Sequence, residues 1–126
     1  MGKLTSNENS TKYWSSRQEA YIAKKFGGYT SVNSGAGKFA GGDVVLPNVK
    51  CLVECKTATT EKSSFSIKKE WLDKIKMECF AKHQDNYVLA FNYGATESPN
   101  YFILDEAQFS KYLDFLEKEY YSKDEE

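Results

Sequence analysis

Two short apolar runs, Val44-Val45-Leu46 and Cys51-Leu52-Val53, flank a Pro47-Asn48 break. Such a break between β-branched runs reads as strand–turn–strand. Asp43 opens the first run, and Glu54 and Lys56 end the second. Successive strand side chains point to opposite faces, so Leu52, Glu54 and Lys56 share one face and Cys51, Val53 and Cys55 the other. A carboxylate and an ammonium therefore project together, with Asp43 on the paired strand. Two acids and a lysine in that placement could hold a divalent cation and a water beside a phosphate. The alternative is an ordinary Glu54–Lys56 ion pair at a sheet rim, common and weak.

The rest of the chain supplies elements to either side. Residues 1–12 are polar and read as a flexible arm. Ser15 or Ser16 can cap a helix running to Phe26, with Gly27-Gly28 as its stop. Glu19, Ile22, Ala23 and Phe26 recur at helical spacing, which places Glu19 on the apolar stripe. A carboxylate there needs a cation or donors, because unpaired burial is costly; a glutamate at the end of the stripe, reaching water, is the plainer reading. Tyr29–Val32 is a candidate strand. A glycine-bearing loop with Ser34, Gly35 and Lys38 follows and leads into Asp43; Ser34, the loop amides and Lys38 could touch a nucleic-acid backbone. Ser66 or a neighbour can cap a helix from about Ile67 to Lys82, with Ile67, Trp71, Ile75 and Cys79 as its stripe and Lys68, Lys69, Lys74 and Lys76 around it. Tyr87–Tyr93 is nearly all apolar and reads as a strand covered on both faces. Tyr101–Leu104 is a further strand. Asp105 and Gln108 resemble a helix start, and the last helix carries Phe109, Tyr112, Leu113, Leu116 and Tyr120 on one face. The expected order is α-β-β-β-α-β-β-α, in one domain over about 13–121 with an acidic tail at 122–126.

Three motifs fail on their own geometry. Asn33–Lys38 imitates a phosphate-binding loop, but Val32 stands at the first glycine position and Phe39 follows the lysine. Cys51-x3-Cys55 with Cys79-x3-His83 imitates a zinc site. Residues four apart on a strand are separated by about 13 Å, and zinc holds its ligand atoms within about 2.3 Å. His83 is the single histidine, and nothing pairs it with a Ser or Cys nucleophile.

Net charge is −1, but its distribution is uneven. Residues 1–82 carry 14 Lys/Arg against 8 Asp/Glu, and residues 83–126 carry 3 against 10. A basic portion containing the candidate site fits a phosphate-rich partner, although solvated helix faces would give the same count. No apolar run is long enough to span a bilayer, and no signal peptide is visible. Three cysteines argue against a disulfide framework and for a reducing, cytoplasmic setting.

Glu19 on a first helix, then Ser34-Gly35, then Gly42-Asp43-Val44, then Glu54-Cys55-Lys56 together resemble the PD-(D/E)xK nuclease superfamily. Within it the chain is similar to the archaeal-type Holliday junction resolvases, virus-encoded relatives included, over about residues 13–120. Gly42 stands where the motif name has proline. The resemblance implies a restriction-endonuclease-like fold, a central mixed β-sheet flanked by helices. It also implies a homodimeric, Mg²⁺-dependent endonuclease, with Mn²⁺ a plausible substitute, that cuts four-way double-stranded DNA junctions. Glu19, Asp43, Glu54 and Lys56 would be catalytic, with Ser34 in support. Asp43, Glu54, the carbonyl of Cys55 and Glu19 would hold metal. Ser34, Gly35, Lys38, Lys68 and Lys69 would contact DNA. Another nuclease of the superfamily acting on linear or nicked DNA, or a binding module that kept the fold, are the alternatives.

Overall fold

The computed structural model describes residues 10–31 and 42–124. Within them α1 (Thr11–Phe26), β1 (Tyr29–Thr30), β2 (Val44–Leu46), β3 (Cys51–Lys56), α2 (Lys69–Ala81), β4 (Asn86–Phe91), β5 (Tyr101–Ile103) and α3 (Glu106–Asp124) follow in order. This is the expected alternation of helices and strands. The hairpin turn is one short 3₁₀ turn, Pro47–Val49, with Lys50 left-handed at φ 49° behind it.

The strands lie in sequence order, β1-β2-β3-β4-β5, as one five-stranded sheet. β1 and β2 pair antiparallel, as do β2 and β3 and β4 and β5. β3 and β4 pair parallel, with Cys51 opposite Asn86 and Lys56 opposite Phe91. A parallel pair cannot be joined by a tight turn, and α2 provides the crossover. The result is a mixed sheet with helices on both faces.

The alternation along β3 sorts the core. Cys51, Val53 and Cys55 turn to α1 and pack with Ile22, Ala23, Val44, Val88 and Ala90. Leu52 turns the other way and packs with Ile75 and Cys79 of α2, joined by Val45 and Tyr87. Among the described residues all three cysteines are free, and Cys51 and Cys55 serve as small apolar residues under α1. Gly28 allows α1 to close on the hairpin: a Cβ there would come within 2.2 Å of the Val45 carbonyl oxygen.

Several boundaries differ from expectation. Ser10, not Ser15 or Ser16, caps α1, its hydroxyl accepting from the Tyr13 amide at 3.0 Å. The helix thus begins inside the segment read as an arm. It ends as expected at Gly27, which is left-handed at φ 76°. α2 starts at Lys69, and Lys68 occupies the cap position in extended conformation with no side-chain cap, so Ser66 does not serve. β1 is limited to two residues, and Val32 lies outside the described ones. Asp105 does cap α3, accepting from the Gln108 amide at 2.9 Å and from the Tyr87 hydroxyl at 2.6 Å. Beyond that first turn α3 leaves the sheet largely uncovered by its own side chains, and Phe109, Tyr112, Leu113 and Tyr120 are all exposed.

Among the described residues no helix is long and apolar enough to cross a membrane.

Candidate active site

β2 and β3 bring Asp43 and Glu54 side by side. The register pairs Val44 with Val53, so the next residues outward, Asp43 and Glu54, are neighbours across the two strands. The Asp43 carboxylate accepts the Cys55 amide at 2.8 Å. Its own amide donates to the Val53 carbonyl at 2.8 Å. Asp43 is thus held by the strand on which Glu54 and Lys56 stand.

Glu54 is only 3 % exposed. Two ammonium groups face it, Lys56 Nζ at 3.4 Å and Lys74 Nζ of α2 at 3.6 Å. Its Oε1 is nevertheless buried without a hydrogen-bond partner. Lys56 also lies over the Trp71 ring, 4.5 Å from its centroid, which fixes the ammonium beside the strand end.

Glu19 reaches this group from α1. Burial, then the negative charges of Asp43 and Glu54, lift its pKa from 4.5 to about 7. Burial likewise raises Asp43, moderated by the Cys55 amide, Lys74 and Lys56. Glu54 is raised by burial and by Asp43, against the pull of Lys74 and Lys56. For Lys74, burial works against its charge, but Glu54, Glu78 and Asp43 outweigh it and hold its pKa above the ordinary lysine value. All three carboxylates resist ionisation, each chiefly through burial, and for Glu19 and Glu54 a neighbouring carboxylate adds to it.

The four residues expected to be catalytic on α1, β2 and β3 therefore share one electrostatic neighbourhood. Ser34, Gly35 and Lys38 lie outside the described residues. Lys68 and Lys69 are exposed at the start of α2. Lys68 reaches the Trp71 ring at 5.8 Å and Lys69 pairs with Asp73 at 2.8 Å. Glu19 sits at the edge of its helix stripe, since the fully buried members are Gln18 and Ile22, with Ala23 nearly so, and Phe26 is 48 % exposed.

Sequence reading missed three supports. Glu78 accepts the Gly42 amide at 2.8 Å and pairs with Lys74 at 3.6 Å, tying the entry to β2 onto α2. Gly42 is left-handed at φ 70°, a conformation that presents its amide to α2 at little strain. Lys74 and Glu78 lie at i, i+4 beside the apolar row that holds Trp71, and that was the available signal. Gln18 is completely buried, and its Nε2 donates to the Lys56 carbonyl at 2.9 Å and to Asn100 Oδ1 at 3.0 Å. Its position one residue before Glu19 gave no sign of this, because Asn100 is distant in sequence.

Among the described residues no three His, Cys, Asp or Glu side chains form a ready-made cage for an ion. Lys74 and Lys56 stand against Glu54 instead. The donor set still fits a hard divalent cation: all three acids are oxygen donors, all are raised in pKa, and the buried Oε1 of Glu54 meets Lys74 at 3.6 Å but accepts no hydrogen bond.

Cations extend beyond the site. An open groove of about 630 Å³ on the outer side of α1 is lined by Arg17, Ala20, Tyr21, Lys24, Lys25 and Glu97. Arg17 is paired with Glu97 there.

No family model, curated protein or solved structure matches the chain.

Proposed function

We propose that the protein is a Mg²⁺-dependent endonuclease of the PD-(D/E)xK type that resolves four-way DNA junctions by phosphodiester hydrolysis. The observation that carries this reading is the convergence of Glu19, Asp43 and Glu54, with raised pKa values, around a strand end that also bears Lys56. The sequence resemblance supplies the substrate.

In this reading Asp43, Glu54 and the carbonyl of Cys55 would hold Mg²⁺, and Glu19 would support a second ion directly or through water. A bound ion of this class lowers the pKa of its water and offsets charge on the scissile phosphate. The chain's own residues do the rest. The Cys55 amide and the sheet register keep Asp43 aimed at Glu54. Gln18 holds the Lys56 backbone. Lys56, steadied by Trp71, orients the attacking water or stabilises developing negative charge. Lys74 favours the ionised form of Glu54 against the effect of burial. Ser34, Gly35, Lys38, Lys68 and Lys69 would hold the DNA backbone. Lys69 is free to do so at small cost, because its pair with Asp73 is exposed and weak. A homodimer belongs to the same proposal, since two sites related by a two-fold axis suit a branched duplex. The open apolar side of α3 is the surface we assign to the second copy.

The engagement of Glu54 by two lysines favours a second reading, a DNA-binding module that needs no metal. Incubation of the protein with a synthetic four-way junction and a linear duplex, in Mg²⁺, Mn²⁺ or chelator, decides. Metal-dependent cutting of the junction in preference to the duplex is expected. Equal cutting of both points to a restriction- or repair-like nuclease. Binding without cutting under every condition overturns the nuclease reading.

A further inference from the structure

On the face of the sheet that carries Glu54 and Lys56, a row of aromatic rings leads away from the site. Phe91 pairs with Lys56 in the β3–β4 register, so the two stand on the same face of neighbouring strands. Phe65 stacks on Phe91 with ring centroids 5.4 Å apart and planes inclined 26°. Trp71 stands 6.5 Å from Phe65. In the other direction Phe91 meets Tyr93 at 5.4 Å and Tyr101 at 5.6 Å, and those two rings are 5.6 Å apart.

The row is covered at one end and open at the other. Trp71, Phe65 and Phe91 are partly buried, whereas Tyr93 is 37 % and Tyr101 47 % exposed. Phe65, between Phe91 and Trp71, packs the 57–68 segment onto the sheet, and backbone bonds of Ala58 and Lys62 to Ala95 and Tyr93 tie it further. The two tyrosines add rings that reach solvent. Among the described residues neither of their hydroxyls has a hydrogen-bond partner within the chain, in contrast to Tyr87, whose hydroxyl donates to Asp105.

Cations border the row. Lys56 and Lys68 lie over Trp71 at its inner end. The Lys62 amide donates to the Tyr93 carbonyl at 2.7 Å, which sets this exposed lysine beside the outer end. Acids border it too: Glu54 pairs with Lys56 and Lys74 at the inner end, Glu97 pairs with Arg17, and Glu61 and Glu70, next to Lys62 and Trp71 in the chain, are exposed.

We propose that Tyr93 and Tyr101, whose planes are inclined 68° to each other, form a platform that takes an unpaired nucleobase of the DNA that the site engages, one ring against its face and the other against its edge. Its strand would run with phosphates along Lys56, Lys62 and Lys68. An aromatic face takes any base, because every base has a π-face, and lysines beside it take the backbone. A base inside an intact duplex already has its neighbours to stack on. The platform therefore favours DNA with bases splayed out, as at a branch point or in a single strand. This rests on the proposed DNA-cutting reading and adds to it the structural feature of the substrate that the protein would select.

The test is binding in chelator, so that no cleavage is needed. The probes are a single-stranded oligonucleotide, a four-way junction with 2-aminopurine at the branch, and a fully paired duplex. Wild-type protein should quench the 2-aminopurine. Tyr93→Ala and Tyr101→Ala should each weaken single-strand binding roughly 5- to 150-fold, the range for one base on one ring, and lose the quenching. Duplex binding should change less than about twofold by the same reasoning. Tyr93→Phe and Tyr101→Phe should behave as wild type, which separates the ring from its hydroxyl, while retained duplex binding by the Ala variants shows that they keep the fold. Unchanged single-strand affinity in the Ala variants, an equal loss on duplex and single strand, or no binding of any DNA by wild type would each overturn the platform. Metal-dependent junction cutting alongside unchanged Ala variants removes the platform and keeps the nuclease. Tyrosine-dependent single-strand binding without cutting in any metal keeps the platform and removes the nuclease.

Discussion

Glu19→Gln separates charge from shape at the site. The glutamate's pKa stands at about 7 in the fold against 4.5 ordinarily. A carboxylate raised in this way contributes stability below pH 4.5, where it is protonated in both states. It loses that contribution as pH rises through 7, where the fold must accept the charge. Each pKa unit corresponds to about 1.36 kcal/mol, so a full shift of this size amounts to about 3 kcal/mol. Glu19 is only partly buried, and solvent screening reduces the expected gain to roughly 1–2 kcal/mol. Gln is nearly isosteric and cannot ionise. In chelator at pH 8 the variant should therefore melt higher than wild type, by roughly 3–10 °C for a domain of this size. At pH 4 the two should melt together. Excess Mg²⁺ at pH 8 should then raise the wild type more than the variant, because a ligand of the native state stabilises by mass action and the variant has lost one donor. Cleavage by the variant in Mg²⁺ should fall sharply. Equal melting differences at both pH values, or a variant less stable than wild type at pH 8, would refute the placement of Glu19 beside Asp43 and Glu54. Normal cutting by a stabilised variant would refute its role in the chemistry.

Asp43→Asn should abolish junction cleavage while junction affinity, read by gel shift in chelator, stays within about threefold, since it removes one negative charge beside the DNA. Lys38→Ala should weaken junction binding and lower the slope of log affinity against log salt by about one, if the lysine neutralises one phosphate; an unchanged slope removes it from the footprint. Asp105→Ala should cost about 1–2 kcal/mol near neutral pH through loss of the α3 cap. Burial opposes the Asp105 charge, but the Tyr87 hydroxyl, the Gln108 amide and Lys76 overcome it and lower its pKa. Its contribution is present above the ordinary aspartate value and disappears as pH falls through the lowered one, so denaturant melts should show the gap to wild type closing in acid. Ile75→Ala, in the core between α2 and Leu52, should cost about 2–5 kcal/mol in the same melts.

What the sequence by itself determined was local. The period-two alternation of Cys51–Lys56 decided which side chains face α1 and which face α2, because a strand has no other choice once one face is apolar. Gly27 stopped α1, Pro47-Asn48 made the turn, and Asp105 capped α3, each through backbone chemistry confined to a few residues. These signals sufficed for the element order and for placing Asp43, Glu54 and Lys56 on one hairpin. Cap positions were less legible, because Ser10, Ser15 and Ser16 are chemically equivalent candidates and only the packing of the first turn chose among them. The tertiary structure alone decided what surrounds Glu54. Lys74 and Glu78 meet the hairpin because the parallel β3–β4 pairing forces α2 across that face, and Gln18 meets Lys56 and Asn100 because α1 crosses the other. It also left most of the α3 stripe exposed: periodicity placed its apolar residues on one face, but what covers that face depends on where the helix leaves the sheet. The charges at the site follow the same division. Acidic residue types can be read in the chain, whereas their raised pKa values arise from burial and mutual approach, which exist only after folding.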